Sequence, residues 1–254
     1  MAKATIVYDS NKNETAVFIQ NELNEPVTNL YVSVEDAIDP YYFRRACEIT
    51  SGKTIHPDRA KVLCKKMYRA EHSPIRCKMF WVEVHNCPTF VATHLVRHNI
   101  GITHFQQSHR SDLTKVPDKE SNRLTPTSFG FLCNAQSLIN IARKRLCFKA
   151  SPQTRLVVSM IKEALEKWVD PDLAECMIPE CEYRHGCNEL KRCSYYEHKV
   201  KKGTGLDKIE RELNKAASEA WERYKSVDKG NNDYDGGQSD AYEYVLSLIH
   251  EIKE

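Results

Sequence analysis

The stretch from Met79 to His98 changes its period part-way along, and that change fixes the class of fold. Residues 79–84, MFWVEV, alternate, so Phe80, Val82 and Val84 share one face of a strand. From Pro88 to about His98 the spacing becomes helical. Val91 and Leu95 then point inward, while Phe90, Thr93, His94 and Arg97 share another face. Proline suits a first helical turn. A strand with one apolar face that feeds straight into a helix needs a sheet with helices packed on it, which is an α/β fold.

The rest of the chain fits that class. Residues 4–9 and 15–20 are short β-branched runs around Ser10–Asn13 and predict a β-hairpin. Residues 57–70 predict a helix whose apolar positions are Ala60, Leu63, Cys64, Met67 and Tyr68. The polar stretch 111–130, with Pro117, Pro126 and Gly130, is expected to be a loop able to cover a site. Ser151-Pro152 is a cap and first-turn proline for a helix to about Trp168 that buries Leu156, Val157, Met160, Ile161, Ala164 and Leu165, and Asp170-Pro171 ends it. Two further helical patterns, about 206–226 and 239–252, flank the turn-rich segment 229–238. The last carries an apolar stripe of Tyr242, Val245, Leu246, Ile249 and Ile252, expected to pack in a core or against another subunit.

Bulk properties exclude some functions. The formal net charge is +2, so there is no global case for nucleic-acid or membrane binding, and any anion site must be local. No run of apolar residues is long enough to span a bilayer, and MAKATIVYDS lacks the apolar core of a secretory signal. Ten cysteines in a chain of this size, without such a signal, are expected to be reduced thiols in a cytoplasmic compartment.

The densest chemistry lies in residues 88–112, PTFVATHLVRHNIGITHFQQSHRSD. His94 and Arg97 project together from an otherwise apolar helix, His98 follows, and after a turn at Gly101 come Gln106, Gln107, Ser108 and Arg110. Arginine offers a rigid, permanently charged fork for phosphate. Hydroxyl and amide groups can both donate and accept, which suits a pyrimidine edge or a phosphate oxygen. The competing reading is a polar helix end whose side chains are merely solvated.

This segment resembles the signature of the flavin-dependent thymidylate synthases, the ThyX family: Arg-His-Arg, seven or eight residues, then Ser, with Arg two positions on. Here it stands as Arg97-His98-Asn99, eight residues, Ser108 and Arg110. Ser73-Pro74 before the strand, the lead-in Pro88-Thr-Phe-Val-Ala and the run Gln106-Gln107-Ser108 are similar to that family's flanks. A looser likeness reaches Ala174–Pro179. The resemblance implies a mostly antiparallel central sheet with packed helices (α+β), followed here by a C-terminal helix pair. It divides the chain into a hairpin extension at 1–30, a catalytic domain at 31–203 carrying a cysteine-rich segment at 176–193, and a helical extension at 204–254. It also implies a homotetramer with composite active sites. The reaction would carry a one-carbon unit from methylenetetrahydrofolate to C5 of dUMP, giving dTMP, with NADPH reducing bound FAD. Ser73, Arg97, His98 and Asn99 would face the flavin. His94, Gln106, Gln107, Ser108 and Arg110 would face the nucleotide. No protein nucleophile is required, because the cofactors carry the chemistry and the protein orients them.

The chain departs from the family at Asn99, which replaces the second arginine, and at Glu175, which reverses an arginine's charge. Arg76-Cys77 also stands where Glu-His is usual. Arg184 and Arg192 are candidate substitutes for the missing cations, Arg184 on the nucleotide. The departures fit a divergent member, such as one from a virus that modifies its nucleotides in the host cytoplasm. They leave open a hydroxymethyltransferase acting on dUMP or dCMP. They also leave open a non-catalytic, zinc-stabilised binding module on the same fold, against which the intact Ser108/Arg110 pair weighs. Cys176, Cys181, Cys187 and Cys193 are spaced more widely than zinc-binding pairs usually are, so buried thiols are preferred to a metal site there.

Overall fold

The structure, a computed structural model, describes residues 3–9, 14–19, 29–108, 110–114 and 122–201. The chain divides into two compact units, Met1–Glu189 and Leu190–Glu254.

The first unit is built on one six-stranded sheet. Its strands are β1 (Lys3–Asp9), β2 (Glu14–Ile19), β3 (Tyr31–Asp36), β4 (Met79–Pro88), β5 (Ile102–Gln106) and β6 (Pro126–Asn134), in the order β2-β1-β3-β4-β6-β5. Every pairing is antiparallel. The expected hairpin forms and joins the sheet through β1, which pairs with β3 as well as with β2. The mixed α+β class with an antiparallel sheet is therefore what the chain adopts.

Period-two alternation decides which face is buried. Ala4, Ile6, Val32, Val34, Phe80, Val82, Val84, Phe129, Phe131 and Cys133 occupy matching registers on one face and are almost wholly buried. Each large side chain removed from water contributes roughly 1.5–3 kcal/mol before entropy is counted. The helices are α1 (Pro40–Ser51), α2 (Pro57–Ala70), α3 (Thr89–Val96), the short, exposed α4 (Ser111–Thr114), α5 (Ala135–Arg145), α6 (Pro152–Ala164), α7 (Pro171–Cys176) and the short α8 (Glu180–Tyr183), and α3, α5 and α6 pack directly on the sheet. Asp39, Asn134 and Asp170 cap α1, α5 and α7 by accepting from Tyr41, Ser137 and Leu173 backbone N–H groups.

Two local expectations need correcting. Residues 126–130 belong to strand β6 and are not loop. Pro126 sits at the strand's first position, and Gly130 is tolerated because the Trp81 ring crosses it, where a Cβ would come within 3.1 Å of Trp81 Cζ2. Ser151 holds the cap position of α6 without a capping bond, since its hydroxyl lies 3.0 Å from Gln153 Oε1 instead. The same helix is α-helical only to Ala164, continues as a π-helical turn over Leu165–Val169, and leaves Leu156 partly buried.

In the second unit the structure describes a π-helical turn, Tyr196–Lys201, and an Arg192–Glu197 ion pair at 3.7 Å. The helix pair expected over 206–252, with its apolar stripe, lies outside the described residues, as do residues 115–121 of the expected loop. Among the described residues no helix is long and apolar enough to cross a membrane.

Candidate functional site

A bulge in β4 aims α3. The β4–β6 register shifts between Val84 and Cys87, and Asn86 takes φ 58° there. The backbone N–H groups of Thr89 and Phe90 at the helix start donate to the carbonyls of Thr125 (3.0 Å) and Arg123 (3.1 Å). The chain just before β6 thus satisfies a helix end that would otherwise hold orphan donors. Val91, Ala92 and Leu95 are buried against the core, so Phe90, His94 and Arg97 line the other side, as the spacing predicts.

Four elements meet along that side. From α6, the fully buried Thr154 places its hydroxyl 2.9 Å from His94 Nδ1. From the segment before β6, the Arg123 guanidinium lies 5.0 Å over the Phe90 ring, whose edge meets the His94 ring with centroids 5.5 Å apart. From the end of α5, Arg145 donates through Nε to His98 Nε2 (3.0 Å) and through its terminal nitrogen to the His94 carbonyl (2.7 Å). His104 on β5 donates from Nε2 to the His98 carbonyl at 2.7 Å.

The turn that carries His98 into β5 depends on Gly101. Its φ is 71°, and a Cβ there would meet Asn134 Nδ2 at 2.4 Å and Ser137 Oγ at 2.7 Å. Asn134 N–H donates to the Gly101 carbonyl (3.1 Å) and the Ser137 hydroxyl to that of Ile100 (2.7 Å). The start of α5 therefore clamps this turn while the end of α5 holds His98.

The electrostatics are one-sided. Among the described residues no carboxylate pairs with Arg97, Arg123 or Arg145. Burial, then Arg145 and His104, push the His98 imidazole down to about 4. Burial, then Arg145, Arg97 and Arg123, push His94 down as well. Arg145 is itself lowered by burial and by Arg97. Uncompensated cations beside neutral imidazoles and an aromatic edge form a surface suited to an anion with an attached ring.

The second half of the sequence motif sits elsewhere. The five residues of β5, at roughly 3.3 Å each, run about 15 Å from the turn at Gly101 to Gln107. Gln106 ends β5 and is exposed. Gln107 continues the ladder, its N–H donating to the Ser128 carbonyl (2.9 Å) and its Oε1 accepting from Ser128 N–H (3.0 Å). Ser108 Oγ accepts from Arg110 N–H (3.3 Å), and the Arg110 side chain forks onto Asp112 at 3.0 and 2.7 Å.

The remaining candidates are dispersed. Ser73 opens a 3-10 turn (Ser73–Cys77) ahead of β4 and shares no hydrogen bond with Arg97, His98 or Asn99. Asn99 is exposed. Arg184 is ion-paired with Glu180 on its own short helix, and Arg192, in the other unit, with Glu197. Glu175 is held by Lys65 (3.1 Å) and Arg69 (3.0 Å) of α2. Cys176, Cys181 and Cys187 are partly buried free thiols and Cys193 is exposed. Among the described residues no three His, Cys, Asp or Glu side chains converge on a metal position.

Arg145, Arg123, His104 and Thr154 are the members of the cluster that sequence reasoning missed. One signal for Arg145 is present. Asn134 as a cap, with Leu138, Ile139, Ile141 and Ala142 behind it, is a helical pattern whose last turn is Arg143-Lys144-Arg145.

No protein-family model matches the chain. No curated protein matches it at a significant level. Among solved structures it is similar to a UMP/dUMP methylase, PolB from Streptomyces cacaoi, bound with 5-Br dUMP. The two share 15% sequence identity over 57% of this chain and 94% of that one, with a TM-score of 0.43.

Proposed function

We propose that the α3 side of this sheet binds a pyrimidine deoxynucleotide. We further propose that the chain transfers a one-carbon unit to C5 of the base with FAD, methylenetetrahydrofolate and NADPH, as the likeness of its signature to the ThyX family implies. The observation that carries the nucleotide reading is the set of cations around His94 and His98 that no carboxylate pairs among the described residues. A phosphomonoester near neutral pH brings close to two negative charges, and unpaired guanidinium groups, the half-buried Arg145 most of all, gain by neutralising them.

The residues present fit an anionic flavin cofactor in one respect. Arg97 is exposed and without an ion pair among the described residues, so it can meet a phosphate. Bound there, the flavin would supply the hydride. The protein's own part is to hold and orient: Arg145 fixes His98, Thr154 fixes His94, and Phe90 with His94 offers a ring edge to a base. Arg145 also offers the positive charge that Asn99 no longer can. In this reading Gln106, Gln107, Ser108 and Arg110 serve the nucleotide from the far end of β5. A homotetramer that shares sites between subunits would bring such separated groups onto one ligand.

The test is incubation of the purified chain with dUMP or dCMP, methylenetetrahydrofolate, NADPH and FAD, followed by mass spectrometry of the nucleotide. Addition of a methyl group to dUMP supports the proposal. A hydroxymethyl product would redirect it to the related transferase, and unmodified nucleotide with no calorimetric binding would remove it. Within the same reading, Arg110→Ala is expected to abolish dUMP binding.

A further inference from the structure

The proton positions around His98 follow from its neighbours. A guanidinium nitrogen can only donate. Arg145 Nε lies 3.0 Å from His98 Nε2, so that ring nitrogen is the accepting one and the proton of the neutral ring sits on Nδ1. The His98 carbonyl can only accept, so His104, 2.7 Å away, carries its proton on Nε2. The other nitrogen of His104, Nδ1, is buried and has no hydrogen-bond partner among the described residues.

A second proton on His98 would set N–H against N–H and cation against cation at Arg145. The charged or titratable groups around His98 are Arg145 from α5, His104 from β5, and Arg97 and His94 from its own segment. None carries negative charge, and His98 has no carboxylate partner among the described residues. The ring is thus kept neutral with its only N–H on the side turned away from Arg145.

The geometry points to Arg145 as a positioning residue that locks His98 in the neutral Nδ1–H form, so that His98, which the motif's resemblance alone turns toward the flavin, gives the bound nucleotide a hydrogen bond and accepts no proton from it. This rests on the nucleotide reading and adds the chemistry of one contact. The ligand atom opposite His98 is an acceptor, either a ring carbonyl or a phosphate oxygen. Proton transfer during the reaction must then fall to another group, since a ring whose lone pair is taken up by a guanidinium has none to offer.

Nitrogen NMR reads this directly. In the full chain carrying 15N-histidine, long-range 1H–15N correlations are expected to show His98 with a protonated Nδ1 and a bare Nε2, unchanged from pH 5 to 8. Arg145→Met should release the ring, giving a shift toward the Nε2–H form and a titration moved upward but still held down by burial, whereas Arg145→Lys, which keeps a donor, should largely preserve the lock. Added dUMP should move the Nδ1–H signal of the unmodified chain. An Nε2–H ring or a titration above pH 6 in the unmodified chain overturns the lock, as does an Arg145→Met ring that does not change. The unmodified chain decides alone if that variant fails to fold. A Nδ1–H signal untouched by dUMP removes the donor role. If calorimetry shows dUMP bound, that failure belongs to His98, and if it shows no binding, the failure belongs to the nucleotide reading.

Discussion

The two halves of the signature segment are handled in opposite ways. His98 is drawn into the structure: it is bonded through ring and carbonyl to the half-buried Arg145 and to His104, and among the described residues no carboxylate offsets the charge. Gln107 to Arg110 is laid along the surface. There Gln107 is spent on the β6 backbone, and Arg110 is neutralised by Asp112 with side chains 73% and 57% exposed. Partly buried, uncompensated charge keeps its strength, while exposed, paired charge is screened. On the proposed nucleotide reading, the difference means that the first half is preorganised for an anion and the second must exchange a partner before it can grip one.

The sharpest way to break that contrast is to remove Arg145. Arg145→Met keeps an unbranched stem while deleting the donors to His94 and His98. Hydrogen bonds to charged groups contribute about 1.5–3 kcal/mol, so dUMP affinity measured by calorimetry should fall roughly 10- to 150-fold. Equal losses from Arg145→Met and from Arg69→Met, which removes an exposed arginine paired with Glu175 outside the motif, would erase the distinction. Next comes the turn. Gly101→Ala must hold a side chain at φ 71° against Asn134 and Ser137. Strain of this kind costs about 1–3 kcal/mol, and a denaturant midpoint unchanged from the parent would show that the α5 clamp on His98 is soft.

Much of the frame that builds this contrast was legible. The alternation of β4, the helical spacing of α3 and the apolar faces of α2 and α6 are local patterns, and each formed. Strand β5 was not legible because it lies at the sheet edge. Its residues facing the helices include His104 and Gln106, so an edge strand carries the composition of a loop. Strand β6 was hidden by Pro126 and Gly130, although Thr127, Phe129, Phe131 and Cys133 alternate cleanly as buried positions. The site divides along the same line. His94 and Arg97 were visible because three-residue spacing sets them together on α3 and its cap, and His98 because it follows in the motif, although the helix itself ends at Val96 and not at about His98. Arg145 was not, because its meeting with His98 spans 47 residues and depends on where α5 ends. A basic last turn, by itself, has the look of a solvated helix end.

Acid should separate the halves again, with a smaller effect. The His98 pKa is pushed down to about 4 in the fold, against about 6.5 for a free imidazole. Between those values the unfolded chain binds more protons than the folded one, so stability rises with pH through the window and is lost as pH falls through it. Thermal unfolding followed from pH 7 to 4 should show this decline, and it should be shallower in Arg145→Met, where the ring protonates more readily. An identical slope in both would mean that other groups govern acid stability.

The smallest expected effect concerns Asp112. Asp112→Asn removes the carboxylate on which Arg110 is forked. The pair is exposed, so stability should change by less than about 1 kcal/mol. Affinity should move the other way. If Arg110 must leave Asp112 to reach a phosphate, deleting the competing charge tightens dUMP binding by a few fold, and most at low ionic strength, where exposed charges are least screened. The same substitution in the Arg110→Ala background should then do nothing. A gain that survives without Arg110 would come from the general field of the surface. A loss on Asp112→Asn would mean that the fork onto Asp112 is itself the working geometry, with the second half as preorganised as the first.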